Sequence, residues 1–571
     1  MMKKVFIGGH IYGKGLSKVL FVYDSIQKVN GEIIRTPIEN GEILISEEEY
    51  SPEKYFLRVT DILYGQSEAW ALEMARGYNF YEKNNDLSDE HEDPQNLYQA
   101  PREEQIFNVA VCEILGISRQ DKFVSARRPP SYFSKVRKLH KDDLLGPLSQ
   151  TTGDLKFAHI RSGESVIDFE AGIFKKNISK HTFITARTGG GKSNSMKVIE
   201  GKIMESNGDV ASLIFEPHGE YIKDLKRHPF AAQQLIVYNQ DGRDQDRKIR
   251  ISYSRITIEN LLNIKKQMKW SEPQERFMFE AQSLLKKNWF KTIVETPFDE
   301  AEYLAMNGGL QDASTGLETF VQNEFSKVRQ EAPIYLRNIF SNVHPDTVKA
   351  TKSKLLRLAR SPFLTATEEQ DDMDLIMKYL IDGKVVLVDM ASLSGLQELF
   401  LSSILAGEVL KRQKARYSKE RDNFENGKYP PIAIVIEEAQ RVLGKGEDSE
   451  GNIFSQIVNE GRKFLTGLIA ITQQPKLMDP VVLSQMNTHI ILGISDETDF
   501  DILKGRCQKP IHNLKLEISQ LMAGEAIISS PDSPFAMPVK IFEYNAYIEK
   551  LKKNMPKRQD DTNRFASFLV D

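Results

Sequence analysis

The residues best suited to chemistry stand together in Ala186-Arg-Thr-Gly-Gly-Gly-Lys-Ser-Asn194. Three glycines in a row let backbone N–H groups turn inward without side-chain collision, which is how a loop wraps phosphate. Lys192 would rest on the outer phosphates as a point charge. Ser193 would offer a hydroxyl to Mg²⁺. Thr188, Gly189, Gly190, Gly191, Lys192, Ser193 and Asn194 are therefore the candidate nucleotide-binding residues. The pattern is G-x-x-x-x-G-K-[ST] with Ala186 in its first place. The competing reading is a plain Gly-rich turn between strand and helix.

A second group lies far downstream, in Pro431-Ile-Ala-Ile-Val-Ile-Glu-Glu-Ala-Gln440. An apolar strand here ends in two carboxylates. Opposite a phosphate loop, Glu437 would hold the magnesium shell and Glu438 would accept a proton from the attacking water. Adjacent acids at a buried strand end are costly unless a cation or hydrogen bonds compensate, which argues against ordinary surface acids. Further on, Gln473 stands at the tip of Leu468-Ile-Ala-Ile471, where an amide can sense the γ-phosphate or orient water. Arg462 has two readings, a helix-end surface cation or an arginine that reaches a neighbour's γ-phosphate. Glu216 and His218, in Glu216-Pro-His-Gly-Glu-Tyr221, also have two: a hydrogen-bonded turn, or part of the site at a strand's C-terminal end.

These residues need a parallel sheet to carry them. Thr182–Ala186, Val210–Phe215, Lys384–Met390, Pro431–Ile436, Leu468–Ile471 and His489–Ile494 read as buried strands alternating with helices, the signature of an α/β fold. Met196, Ile199 and Ile203 recur at helical spacing after the loop, and Asn207-Gly208 ends that run. Phe157–Ile160 and Ser165–Phe169 lead into this core, and Ala523–Ile528 with Met537–Phe542 closes it as a hairpin. Residues 247–377 read as mainly helical, an insertion; their basic run Lys349, Lys352, Lys354, Arg357 and Arg360 fits a solvated face. A helix is expected over Leu396–Arg416, and a polar loop over Tyr417–Lys428.

The N-terminal region differs. Lys4–Ile7, Val19–Tyr23 and Glu32–Thr36 suggest strands of a small barrel, and Tyr64–Tyr81 and Gln105–Leu115 suggest helices. Asn84–Asp93 reads as a solvated acidic loop and Arg127-Arg-Pro-Pro130 as an extended linker. The chain of 571 residues has room for several domains. Its net charge of −4 does not announce nucleic acid, although a local basic lining can still bind it. The two cysteines lie too far apart in sequence for a disulfide framework or zinc motif and suit a reducing cytoplasm. No run approaches a membrane span, so no membrane anchoring is expected.

With these motifs in place, the chain resembles the HerA branch of the HerA–FtsK ATPases. The resemblance covers Leu155 to Tyr544 and rests on His181 through Ser195, Glu216 through Tyr221, Ile436 through Gln440, Glu460-Gly-Arg-Lys-Phe464, Thr472-Gln-Gln-Pro475 and Leu483 through Thr488. It implies a RecA-like P-loop ATPase core at 151–246 and 378–545 around the helical insertion. It also implies a barrel-like partner-docking domain at 1–150 and leaves a C-terminal tail at 546–571. By resemblance, ATP and Mg²⁺ are the cofactors, and the protein is a cytoplasmic homo-hexameric ring acting on double-stranded DNA. Its partner would be an effector, a nuclease or, in antiviral defence, a sirtuin-type NADase. Lys192 and Ser193 then take phosphate and magnesium, Glu437 and Glu438 the acidic roles, Gln473 the sensor's and Arg462 that of a trans-acting finger. Three positions depart from the family pattern: Ala186 for Gly, Glu216 for the usual Asp, and Gln440 for the His that commonly closes the acid motif. Two other readings stand beside this one, a nucleotide-stabilised scaffold for an effector enzyme and a secretion-type motor at a membrane.

Overall fold

The computed structural model describes residues 6–7, 9–15, 18–23, 26–29, 32–35, 37–49, 51–64, 108–131, 134–242, 246–306, 334–445 and 452–555. The expected loop Asn84–Asp93, nearly all of the expected helix Tyr64–Tyr81 and the tail beyond 555 lie outside these residues. Two compact units divide the chain. One comprises Met1–Lys202, Ile471–Lys476 and Met486–Asp571; the other comprises Ile203–Ala470 and Leu477–Gln485.

The first unit begins with an antiparallel sheet. Its hydrogen-bonded path runs Phe6–Ile7, Lys135–Lys138, Ile43–Glu47, Lys54–Tyr64, Asn108–Arg119, Val19–Tyr23, Gly9–Lys14, with Lys122–Val124 added to Asn108–Arg119. Val19, Phe21 and Tyr23 are buried while Leu20 and Val22 are half-buried, the period-2 alternation of a strand with one face on a core. Phe21, Tyr55, Leu57, Val59, Cys112 and Val136 form that core. The helix expected over Gln105–Leu115 is instead part of the long strand Asn108–Arg119. Val109, Val111, Ile114 and Ile117 are β-branched, and pairing on both sides with Val19–Tyr23 and Lys54–Tyr64 decides the matter.

The same unit carries a second set of strands, in the order Ser165–Ile173, Leu155–Ser162, Met537–Ile541, Glu525–Ser529, Thr488–Leu492, Thr182–Ala186. The last two run parallel and the rest antiparallel. The expected closing hairpin is present as Glu525–Ser529 against Met537–Ile541.

A buried charge cluster ties these two sets together. Glu517 accepts from Arg58 Nη2 at 2.6 Å and Nε at 2.9 Å, and from Arg161 Nη2 at 2.5 Å. Arg58 also donates to the Ala536 carbonyl at 2.7 Å. Arg58 is 0% exposed and Glu517 5%. Gly41, at φ +79°, lies so close that a Cβ there would sit 2.6 Å from the Glu517 carboxyl carbon.

The second unit is built on parallel strands in the order Thr466–Thr472 (through Ala470), Ile432–Ile436, Ala211–Glu216, Val385–Asp389, Leu235–Asn239, Arg247–Lys248. Ala211–Glu216 and Ile432–Ile436 are buried throughout, as a sheet covered on both faces requires. The helix Gly395–Lys419 opens with a capping box from Ser394 and Gln397. Among the described residues of 247–377 are the helices Glu272–Leu285, Trp289–Glu295 and Pro345–Ala359, together with the short parallel strands Ile251–Ser252 and Leu364–Thr365.

Two expectations fail in this unit. Tyr417–Lys428 is not a loop: the long helix runs to Lys419 and a short one covers Arg421–Glu425. Tyr417 packs edge-on against Phe424 and Phe464, which gives this polar stretch an apolar anchor. The basic run is not simply a solvated face either. Lys352 is 2% exposed, donates to the Thr296 carbonyl at 2.7 Å and pairs with Glu302 at 2.6 Å. Lys354 donates to the Lys269 carbonyl and to Gln274.

Removing one member of a buried ion cluster leaves charge without a partner. Glu517→Ala should therefore cost about 3–5 kcal/mol of unfolding free energy. Urea denaturation checks this, with Lys141→Ala, at an exposed pair, as the near-neutral control.

Candidate functional site

The phosphate loop belongs to the first unit. The strand Thr182–Ala186, buried along its whole length, runs parallel to Thr488–Leu492 and delivers the chain to the glycines. Ala186 ends that strand with extended backbone, so the first position of the motif has no need of glycine here. Arg187 clasps the loop from behind: its N–H donates to the Gly493 carbonyl at 3.1 Å and its Nη2 to the Leu521 carbonyl at 2.7 Å. The Gly190 N–H closes a turn onto the Arg187 carbonyl at 2.9 Å, and the Gly190 carbonyl accepts from Gly524 at 3.1 Å. Gly189 and Gly191 have φ of +76° and +99°, and a Cβ on Gly190 would lie 2.6 Å from the Leu492 carbonyl oxygen. Only glycine fits this cradle.

The helix Lys192–Glu205 starts immediately after. Its first-turn N–H groups and dipole favour an anion at this end. Lys192 and Ser193 are half-buried at its start. Thr188 donates to Gln473 Oε1 at 3.0 Å, so the structure brings the loop and the expected sensor together. Asn194 points elsewhere: its amide donates to the Phe542 carbonyl at 2.8 Å and accepts from the Tyr544 N–H at 2.9 Å. Its side chain fastens the helix to the segment that follows the strand Met537–Ile541.

The acids belong to the second unit. Glu216 and Asp389 sit opposite one another at the ends of two paired parallel strands, and Glu437 follows the last residue of a third. Glu216 is wholly buried, and its carboxylate accepts the N–H groups of Glu220 and Tyr221, the latter at 2.9 Å. The hydrogen-bonded turn is thus present at Glu216. Burial pushes this carboxyl up to about 7; the N–H donors oppose that shift, and the charges of Glu437 and Asp389 add to it.

Glu437 is 7% exposed and accepts a hydrogen bond from the Tyr221 hydroxyl; its Oε2 lies 4.0 Å from His218 Nε2. Burial and the Glu437 charge hold the Tyr221 phenol well above its ordinary range, so it remains a donor. Glu438 has φ +48°, a left-handed backbone uncommon outside glycine, and Gln440 Nε2 donates to its carboxylate at 2.7 Å. The two acids line a cavity of about 150 Å³ together with Phe215, Met390, Glu398 and Arg441. Arg462 is not among its lining residues. It is exposed on the turn Gly461–Phe464, beside a groove formed with Asn459, Glu460 and Lys463.

Sequence reasoning gives no role to Tyr221 and marks Gln440 only as a departure from the family pattern. The signal for Tyr221 was its place in an otherwise polar turn, since a buried tyrosine hydroxyl needs a partner. Ser193 and Glu437 are oxygen donors of the kind Mg²⁺ takes. Among the described residues no group of three or more His, Cys, Asp or Glu is arranged to hold a metal, so an ion here would draw on phosphate and water.

A family model described as the central domain of helicase HerA matches residues 164–409, a span that includes the phosphate loop and Glu216 and stops before Glu437. A probable helicase of Methanocaldococcus jannaschii is 25% identical over 454 residues, covering 77% of this chain and 80% of the relative. A DNA double-strand break repair helicase HerA of Saccharolobus solfataricus is 27% identical over 415 residues, covering 70% of each. Among solved structures, VirB4 of Thermoanaerobacter pseudethanolicus overlaps 68% of this chain and 96% of its own, with 14% identity and a TM-score of 0.41.

The raised Glu216 carboxyl has a consequence for stability. Unfolded, it loses its proton near its ordinary value of 4.5; folded, it keeps the proton to about 7. Between these values the folded state holds the extra proton. Its contribution is therefore present at acid pH and is lost as pH rises through about 7, by roughly 3 kcal/mol at one pKa unit per ~1.4 kcal/mol. Glu216→Gln should flatten the fall in unfolding free energy between pH 5 and 7, measured by urea titration at several pH values.

Proposed function

We propose, on the premise that this chain is a HerA-like ATPase of the HerA–FtsK superfamily and hydrolyses ATP, that it works as a ring-forming motor on double-stranded DNA. The observation that carries the reading is the glycine cradle, whose loop residue Thr188 is bonded to Gln473. A loop that only glycine can form, followed directly by a lysine and a helix start, has triphosphate as its natural ligand. In this reading Gly189, Gly190 and Gly191 wrap the phosphates, Lys192 neutralises them, and Ser193 with Glu437 holds the metal. Mg²⁺, when bound, supplies charge neutralisation at the phosphate oxygens. Glu438 takes the proton of the attacking water, and Gln473 senses the γ-phosphate through its contact with Thr188.

Arg462 serves a neighbouring subunit, so assembly and turnover are linked. Its exposure on the Gly461–Phe464 turn supports this, because a finger acting in trans must stand on the surface of its own chain. The assembly is a homo-hexamer, and double-stranded DNA is the track. The region 1–150 docks an effector, a nuclease or a sirtuin-type NADase serving antiviral defence, while 151–246 with 378–545 forms the motor around the 247–377 insertion. We place the protein in the cytoplasm; among the described residues no helix is long and apolar enough to cross a membrane.

The test is ATP turnover with and without duplex DNA. Lys192→Ala and Glu438→Gln should each lower kcat by roughly 100-fold or more, and DNA should stimulate only the unmodified protein. Arg462→Ala should be as inactive as Lys192→Ala when pure. Mixing the two should restore activity, because each supplies what the other lacks. Full turnover in Lys192→Ala would remove the site assignment. Full partner activity in Glu438→Gln would favour the scaffold reading.

A further inference from the structure

The stretch Glu216-Pro-His-Gly-Glu-Tyr221 contains more order than the hydrolysis reading uses. Glu216 ends its strand fully buried, yet its carboxylate makes no long reach outward. It is folded back on its own turn, where it accepts the N–H groups of Glu220 and Tyr221. Gly219, at φ +70°, gives the reversal that makes this possible. The turn then passes into the short helix Ile222–Leu225, with the Leu225 N–H on the Tyr221 carbonyl at 2.8 Å. Tyr221 is thereby held at both its N–H and its carbonyl, and its ring is 1% exposed. Its hydroxyl meets Glu437 Oε1, while Glu437 Oε2 faces toward His218 at 4.0 Å.

We propose that Tyr221 is a positioning residue for metal binding: Glu216 anchors the turn, the turn fixes Tyr221, and the Tyr221 hydroxyl locks Glu437 so that Oε2 is presented to the metal's water shell. This rests on the reading of Glu437 as the magnesium-shell acid. The physical argument is rotational. A glutamate carboxylate turns broadly about its last bond, and a single buried donor on one oxygen selects one orientation. Outer partners of this kind typically govern metal affinity or activity by about 10–100-fold. The arrangement also gives a reason for glutamate at position 216. Its longer side chain reaches back to the N–H groups of Glu220 and Tyr221, whereas aspartate at the same strand end would fall one methylene short.

The experiment compares ADP affinity by calorimetry in Mg²⁺ and in EDTA, using the full chain. Tyr221→Phe should leave the EDTA affinity unchanged and reduce the gain due to Mg²⁺ by about tenfold. The Mg²⁺ concentration for half-maximal ATP turnover should rise by a similar factor. A merely structural tyrosine would move both affinities together. Should Tyr221→Phe not yield soluble protein, Glu216→Asp serves, because retracting the anchor displaces the same hydroxyl. An unchanged Mg²⁺ gain in whichever variant is soluble overturns the proposal. Glu437→Ala separates the two readings. If it keeps the full Mg²⁺ gain, the assignment of Glu437 to the metal fails; if it loses the gain while Tyr221→Phe does not, only the role of Tyr221 fails.

Discussion

A carboxylate taken out of water must find donors or a cation, and this demand shapes the acid end of the second unit. Glu216 and Glu437 are buried, and Asp389 stands beside Glu216 at the same strand register. Neutral donors are among those that meet them: backbone N–H groups at Glu216 and Asp389 and a phenol at Glu437. Neutral donors soften the desolvation cost without cancelling the charge. Glu216 registers the deficit, its carboxyl raised to about 7 by burial and by its acidic neighbours. A cation would complement a site in this condition, which is what the proposed role of Glu437 at the metal draws on.

The Glu517 cluster in the first unit shows the other solution. There one buried carboxylate is met by two guanidiniums, and Arg58 completes its own donors on the Ala536 carbonyl. The carboxylate's charge is answered by cations inside the protein, and the three groups together carry one net positive charge. Such clusters often stabilise no more than an apolar replacement would, while losing one member is costly. Here the geometry joins the N-terminal sheet, through Arg58, to the strand Leu155–Ser162 through Arg161. The segment that carries Glu517 continues to Leu521 and Gly524, whose backbone groups hold Arg187 and Gly190 of the phosphate loop. Within this one unit, then, the loop is backed by a segment that the N-terminal sheet itself holds in place.

How much of this was legible depended on the range of the determining forces. The strand Thr182–Ala186, the loop and the acid strand Ile432–Ile436 could be read because apolar runs, glycine and adjacent carboxylates are local signals. Asn108–Arg119 was misread as helix because its identity comes from neighbours on both sides, which no window of sequence contains. Tyr417–Lys428 was misread as loop because its anchor, the packing of Tyr417 on Phe424 and Phe464, is partly non-local. Lys352 looked like surface because lysines usually are; only the structure gives it Glu302 and the Thr296 carbonyl. Asn194 sits within the phosphate motif, yet its partners are some 350 residues away in the chain.

The departures from the family pattern follow the same logic, since each changes a residue type while keeping the physical task. Ala186 ends an extended strand, so a methyl group costs nothing where the backbone does not turn. Gln440 offers an N–H donor to Glu438 Oε2, the service an imidazole could give, but from an amide that does not titrate near neutrality. Glu216 trades reach toward a ligand for reach back to its own turn, and the turn in exchange carries Tyr221 to Glu437. What is held constant across these substitutions is where donors and charges stand. The cradle and the acid edge are therefore better described by the positions of N–H, O–H and carboxylate groups than by the letters of the motifs that supply them.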